Sequence, residues 1–87
     1  MDRKELLTRI IRLVFDVDGV DAAQVTTDDG HGNSVRHDAW EWSFLVKGIP
    51  CFIQFTGQVL HSDDGTFFDY LAQEIADVRV DLGQVTT

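Results

Sequence analysis

Between Ala39 and Leu60 two runs of alternating apolar residues lie on either side of a short connection, and any fold for this chain has to accommodate them. In the first run Trp40, Trp42, Phe44 and Val46 alternate with Ala39, Glu41, Ser43, Leu45 and Lys47. In the second Cys51, Ile53 and Phe55 alternate with Phe52, Gln54 and Thr56. A period of two is the mark of a strand with one buried face, so the stretch reads as a β-hairpin. Both apolar sets must lie on the same face, which restricts the register. Pairing Val46 with Cys51 sets Phe44 opposite Ile53, Trp42 opposite Phe55 and Trp40 opposite Gly57, whereas a slip of one residue divides the apolar set between core and solvent. A two-residue turn at Gly48-Ile49 would require the amide hydrogen of residue 50, and Pro50 has none. The expectation is therefore a four-residue loop from Lys47 to Pro50, closed by Val46 and Cys51.

Helices flank this hairpin. Over residues 2 to 15, Leu6, Leu7, Ile10, Ile11 and Val14 recur at three- and four-residue spacing, with Arg3, Lys4, Thr8, Arg9 and Arg12 on the other side. Asp2 and Glu5 have the spacing of a capping box. A second helix opens at Thr66, with Asp69 three residues on. Its buried stripe is Phe68, Leu71, Ile75 and Val78, widened by Phe67 and Ala72, while Gln73, Glu74 and Asp77 face out. Beyond Asp77 two patterns compete: Val78, Val80 and Leu82 alternate like a strand, and Leu82 followed by Gly83 suits a helix end. Nothing in the pattern orders the tail at 84–87. Residues Val20 to Thr27 form a third, weaker strand, with either Ala23, Val25 and Thr27 or Val20 and Ala22 inward. The polar run Asp28 to Ser34 is turn chemistry that joins it to the hairpin. The predicted fold is α+β in the order α-β-β-β-α, a three-stranded antiparallel meander with both helices on the tryptophan face, forming one domain over residues 1–87.

Charge is unevenly placed. Residues 1–12 carry four basic groups against two acids, a net of +2, and the remaining 75 residues carry Arg36, Lys47 and Arg79 against thirteen acids, a net of −10. An acidic body of this kind repels phosphate backbones and anionic membranes, so no direct nucleic-acid or membrane binding is expected. It favours basic partners. The single cysteine, Cys51, excludes an internal disulfide, and no apolar run approaches the length of a membrane span or a secretory leader. These features predict a cytoplasmic protein.

One short segment carries a resemblance. Leu13-Val14-Phe15-Asp16-Val17-Asp18-Gly19 resembles the first motif of the haloacid dehalogenase phosphatases, which implies Asp16 as a nucleophile and Asp18 as a general acid just beyond a central strand. The chain departs from that family at Val20, where the family has threonine, and 87 residues are too few for its doubly wound sheet. A calcium loop fits no better, since aligning Asp16, Asp18 and Gly19 puts Val14 and Val25 where carboxylates are required. The segment reads as a polar turn after the helix, with Gly19 supplying a positive φ. Gly30-His31-Gly32-Asn33 lacks the lysine and the serine or threonine of a phosphate loop. Cys51 points inward, where a thiol stays protonated, and His31, His37 and His61 match no standard zinc spacing. No catalytic residue, metal or cofactor is assigned.

The remaining candidates are contact residues. The register above places Leu45 opposite Phe52 on the otherwise polar side, next to Ile49 and Pro50, an apolar tip suited to a partner or a second copy. The acidic candidates are Asp28, Asp29, Asp38, Glu41, Asp63 and Asp64. Together they predict a non-enzymatic interaction protein that engages a basic protein partner, for instance a nucleic-acid-mimicking inhibitor of a nuclease or CRISPR effector of the kind phages and mobile elements carry. An immunity protein or antitoxin against a basic toxin fits the same residues. A small metal-binding or hydrolytic module built on Asp16 and Asp18 is the alternative of a different class, and a homodimer is compatible with either.

Overall fold

A computed structural model describes residues 2–28, 31–32 and 34–85, with the backbone alone at 26–28, 34–38 and 85. The order is α1 (Arg3–Phe15), β1 (Val20–Asp28), β2 (Ser34–Val46), β3 (Ile49–Thr56), α2 (Gly57–Leu60) and α3 (Asp64–Val85). The strands form an antiparallel meander β1-β2-β3, so β2 is central. Leu7 and Ile11 of α1, Leu60 of α2, and Phe67, Leu71 and Val78 of α3 are buried against Trp42, Phe44, Cys51, Ile53 and Phe55. All the helices thus cover the tryptophan face, as the alternation requires.

The hairpin register differs from the expected one by two residues. Val46 pairs with Ile49, Phe44 with Cys51, Trp42 with Ile53 and Trp40 with Phe55. The turn has two residues, Lys47 and Gly48, both with positive φ (51° and 82°), the backbone of a type I′ turn whose twist matches that of the strands. Moving the turn back one residue removes the objection that Pro50 raised. Pro50 is no longer a closing residue: it falls opposite Leu45, in the pair next to the closing one, where antiparallel partners exchange no hydrogen bonds. Its missing donor faces the open edge of β3, where proline is tolerated. Parity is unchanged, so the inward set is the expected one.

Val20 pairs with Phe44 and Ala22 with Trp42, which settles the inward set of β1 in favour of Val20 and Ala22. The β1–β2 register shifts between Gln24 and Thr26, and the extra residues fall on β2, a bulge that bends the central strand.

At the helix ends, Asp2 caps α1 by accepting from the Glu5 amide at 2.9 Å. The left-handed residue after α1 is Asp16 (φ 53°), not Gly19, and its amide donates to the Arg12 carbonyl. Aspartate tolerates this conformation better than most side chains. The single-turn α2 was not expected. Thr56 caps it through the Val59 amide at 3.4 Å, which ends β3 at Thr56; the predicted pairing of Trp40 with Gly57 is replaced by Trp40 with Phe55 through the register shift. Asp63, not Thr66, caps α3, accepting the Thr66 amide at 3.1 Å and its hydroxyl at 2.7 Å. The helix is continuous through residues 78–85, so the strand-like alternation there is subordinate to a helical stripe of Phe67, Leu71, Val78 and Leu82. Phe68, expected inside, is 46% exposed.

Two residues assigned to the polar side of α1 have internal roles. The Arg3 guanidinium donates to the Leu60 carbonyl at 2.8 Å and the Ser62 carbonyl at 2.6 Å, pairs with Asp64 at 2.8 Å, and lies 4.6 Å over the Phe67 ring. It ties the start of α1 to the α2–α3 connection. Thr8 accepts a hydrogen bond at 3.0 Å from the indole of the fully buried Trp42.

Candidate functional site

With every helix on one side, the other face of the sheet is open. Its residues fall in rows across the strands. Leu45 lies beside Pro50, then Ser43 between Asp21 and Phe52, then Glu41 between Ala23 and Gln54. Leu45 is 59% and Phe52 57% exposed, and Pro50 is exposed beside them. The two aromatic and aliphatic candidates are therefore on one face as expected, but they are diagonal neighbours: Leu45 faces Pro50, and Phe52 faces Ser43. Both corrections follow from the two-residue register shift.

Ile49 does not belong to this patch. It pairs with Val46 on the helix side and meets Pro50 and Phe52 at the edge of β3, in a small cavity of about 190 Å³ lined also by Cys51, Val78, Asp81 and Leu82. The open face instead gains three carboxylates. Asp16 and Asp18, in the turn after α1, and Asp21 at the start of β1 border a groove of about 650 Å³ whose floor includes Leu45, Pro50 and Phe52. Among the described residues Lys47 is the one cation on its lining. Glu41 continues the acidic side and accepts from Gln54 at 2.9 Å.

Asp63 and Asp64, proposed from the sequence as a contact pair, have structural partners: Asp63 the Thr66 cap, and Asp64 the Arg3 guanidinium. The hydrogen bonds from Thr66 hold the Asp63 carboxyl below its ordinary range. Asp29 lies outside the described residues, as do the side chains of Asp28 and Asp38. Asp21 escaped the sequence reading, and Pro50, expected as a loop residue beside the apolar tip, is a strand residue opposite Leu45. Choosing Val20 and Ala22 as the inward set would have put Asp21 outside, and a turn at Lys47-Gly48 would have paired Pro50 with Leu45 across the strands.

For catalysis the geometry offers little. Cys51 is buried, with Sγ 3.5 Å from the Ile49 carbonyl, and burial pushes its thiol above the ordinary range, partly offset by the Val46 amide. A buried, protonated thiol is a poor nucleophile. Among the described residues no three histidine, cysteine or carboxylate side chains are placed to hold a metal ion, so Asp16, Asp18 and Asp21 line a rim without converging on a point. His61 and His31 are exposed on separate connections. Among the described residues no helix is long and apolar enough to cross a membrane.

Fold and surface together define a small α+β domain with a three-stranded antiparallel sheet, one face packed and the other open. Compared with protein-family models, curated proteins and solved structures, the chain shows no significant match.

Proposed function

We propose that this is a non-enzymatic interaction protein whose acidic surface engages a basic protein, in the manner of an inhibitor that competes with nucleic acid for a nuclease or CRISPR effector. One observation carries the reading: the acidic charge is not neutralised within the fold. Among the described residues there is a single ion pair, Arg3–Asp64, against a formal net charge of −8. Asp16, Asp18 and Asp21 are exposed at the open sheet face, and Asp69, Asp77 and Asp81 are exposed on α3. At about 100° per residue Asp69 and Asp81 point about 120° apart, so the three run from the outer side of the helix to its flank beside β3, where Asp81 lines the small cavity with Pro50 and Phe52. Two of the four cations of α1 are engaged within the fold, Arg3 in its clamp and Lys4 4.2 Å over the Trp40 ring. An immunity protein facing a basic toxin is the same physical case with a different partner.

Capture of partners from the host, followed by titration of one purified partner at low and high salt, tests the reading. Charge-pair contacts weaken steeply with ionic strength because they are screened over a Debye length of about 8–10 Å. Reversing Asp69, Asp77 and Asp81 to lysine should weaken binding chiefly by slowing association, and the partner's nucleic acid should compete. Salt-insensitive binding that survives these reversals, and the reversal of Asp16, Asp18 and Asp21, would overturn the proposal. Asp63 and Asp64 are unsuitable for such a test, because changing them disturbs the start of α3.

A further inference from the structure

The open sheet face has a counterpart on the same chain. On α1, Leu13 is 82% exposed, and Arg9 and Arg12 beside it are exposed as well. Arg9 and Leu13 are four residues apart and Arg9 and Arg12 three, so the three side chains form one patch on the helix surface. Among the described residues neither arginine makes an ion pair. A leucine this exposed contributes nothing to the core of its own molecule. The groove over Leu45, Pro50 and Phe52, whose rim begins at the end of α1, has the complementary character, an apolar floor with Asp16, Asp18 and Asp21 at its border against Lys47 alone among the described residues.

We propose that the occupant of this groove is a second copy of the chain, with Leu13 seated on Leu45 and Phe52 and with Arg9 and Arg12 facing the carboxylate rim. Charge complementarity selects this occupant. The rest of the chain is acidic, and the basic, apolar patch of α1 is the part of it that the rim attracts. An exposed apolar cluster rimmed by charge is the ordinary anatomy of a contact surface. The contact is heterologous, one patch meeting a different patch, so the number of copies depends on whether the rotation closes. It leaves Asp69 and Asp77 of α3 outside the contact, since neither lines the groove. The self-contact does not depend on the proposed function, and its test requires no other protein.

Sedimentation velocity over a range of concentrations, at low and high salt, measures it. The wild-type chain should associate at low salt and dissociate as salt is raised. Arg9→Glu with Arg12→Glu should weaken association by roughly tenfold or more, as should Asp18→Arg with Asp21→Arg, because each sets like charges against one another. Leu13→Ser and Phe52→Ser should each abolish it. All of these positions are exposed, and unchanged circular dichroism and urea midpoints would show that the variants fold. Mixing the arginine-reversed and aspartate-reversed proteins should restore association, since each contact between unlike variants again joins opposite charges. A monomer at every concentration and salt, association indifferent to these substitutions, or failure of the mixed variants to recover would each overturn the proposal.

Discussion

The indole Nε1–H of Trp42 donates to Thr8 Oγ1 at 3.0 Å, and Thr8 Oγ1 donates onward to the Lys4 carbonyl at 3.0 Å. Trp42 is fully buried at the centre of the sheet, so its one polar atom depends on a hydroxyl reaching in from α1. Thr8→Val keeps the shape and removes the acceptor. It should destabilise by about 1–3 kcal/mol, the scale for leaving a buried donor without a partner. Thr8→Ser should cost less. Trp42→Phe should be less damaging in the Thr8→Val background than alone, because the unpaired donor leaves with the indole. Urea unfolding of the four proteins forms a double-mutant cycle, and additive losses would show that the hydrogen bond carries no coupling.

Arg3 should matter more than the acid it pairs with. Its guanidinium satisfies the carbonyls of Leu60 and Ser62, whereas the Asp64 side chain is 87% exposed. Arg3→Met keeps an unbranched apolar side chain, loses the guanidinium with its hydrogen bonds and its place over Phe67, and should cost about 1.5–3 kcal/mol, the range for hydrogen bonds to a charged group. Asp64→Asn removes an exposed ion pair and should cost about 0–1 kcal/mol. Arg3→Lys should fall between them, since an ammonium lacks the fork that spans two carbonyls and a carboxylate. Equal losses at Arg3 and Asp64 would mean that the ion pair, and not the carbonyl clamp, holds the α2–α3 connection.

These two residues also show where legibility from the sequence ends. Strand facing was readable, because alternation in β2 and β3 has period two and any even shift preserves it. The register was not, because it depends on whether Lys47 accepts a left-handed backbone, which its residue type does not announce. Thr8 and Arg3 lie on the polar side of α1 by periodicity, and only the tertiary arrangement shows that one meets an indole and the other two carbonyls. The open face was half readable: Leu45 and Phe52 alternate with the core set. Asp16, Asp18 and Asp21 join it through the turn after α1 and the pairing of β1 with β2, which no local pattern specifies.

Lys47 is strained relative to the residue its turn prefers. A type I′ turn wants Asn or Gly at its first central position, and an L-residue is disfavoured in the left-handed region because its Cβ crowds the following carbonyl oxygen. Lys47→Asn should raise stability by about 0.5–1 kcal/mol. Lys47→Gly should gain less, because glycine also increases the freedom of the unfolded chain. Thermal unfolding measures both. No gain from asparagine would point to the four-residue loop closed by Cys51, in which Lys47 needs no positive φ.

Stability should fall at both ends of the pH scale, through different groups. The Asp63 carboxyl is held low by the hydroxyl and amide of Thr66. A folded pKa below the unfolded one gives a contribution present above the ordinary carboxylate value of about 3.9 and lost as pH falls through the folded value. Asp63→Asn, which still caps a helix, should flatten the acid limb. On the alkaline side the shifts have the opposite sign. Burial raises the Cys51 thiol, and burial, with the charge and hydrogen bond of Glu74, raises the Tyr70 phenol. Their contributions are complete below the unfolded values, about 8.5 for the thiol and about 10 for the phenol, and are lost as pH rises through the higher folded values. Cys51→Ala should lower stability throughout by emptying a packed site, yet its curve should stay flatter just above pH ~8.5, and the later fall due to Tyr70 should remain. Urea midpoints measured across the pH range for wild type and both variants separate these effects. An alkaline limb of wild-type slope in Cys51→Ala would remove the thiol as its cause.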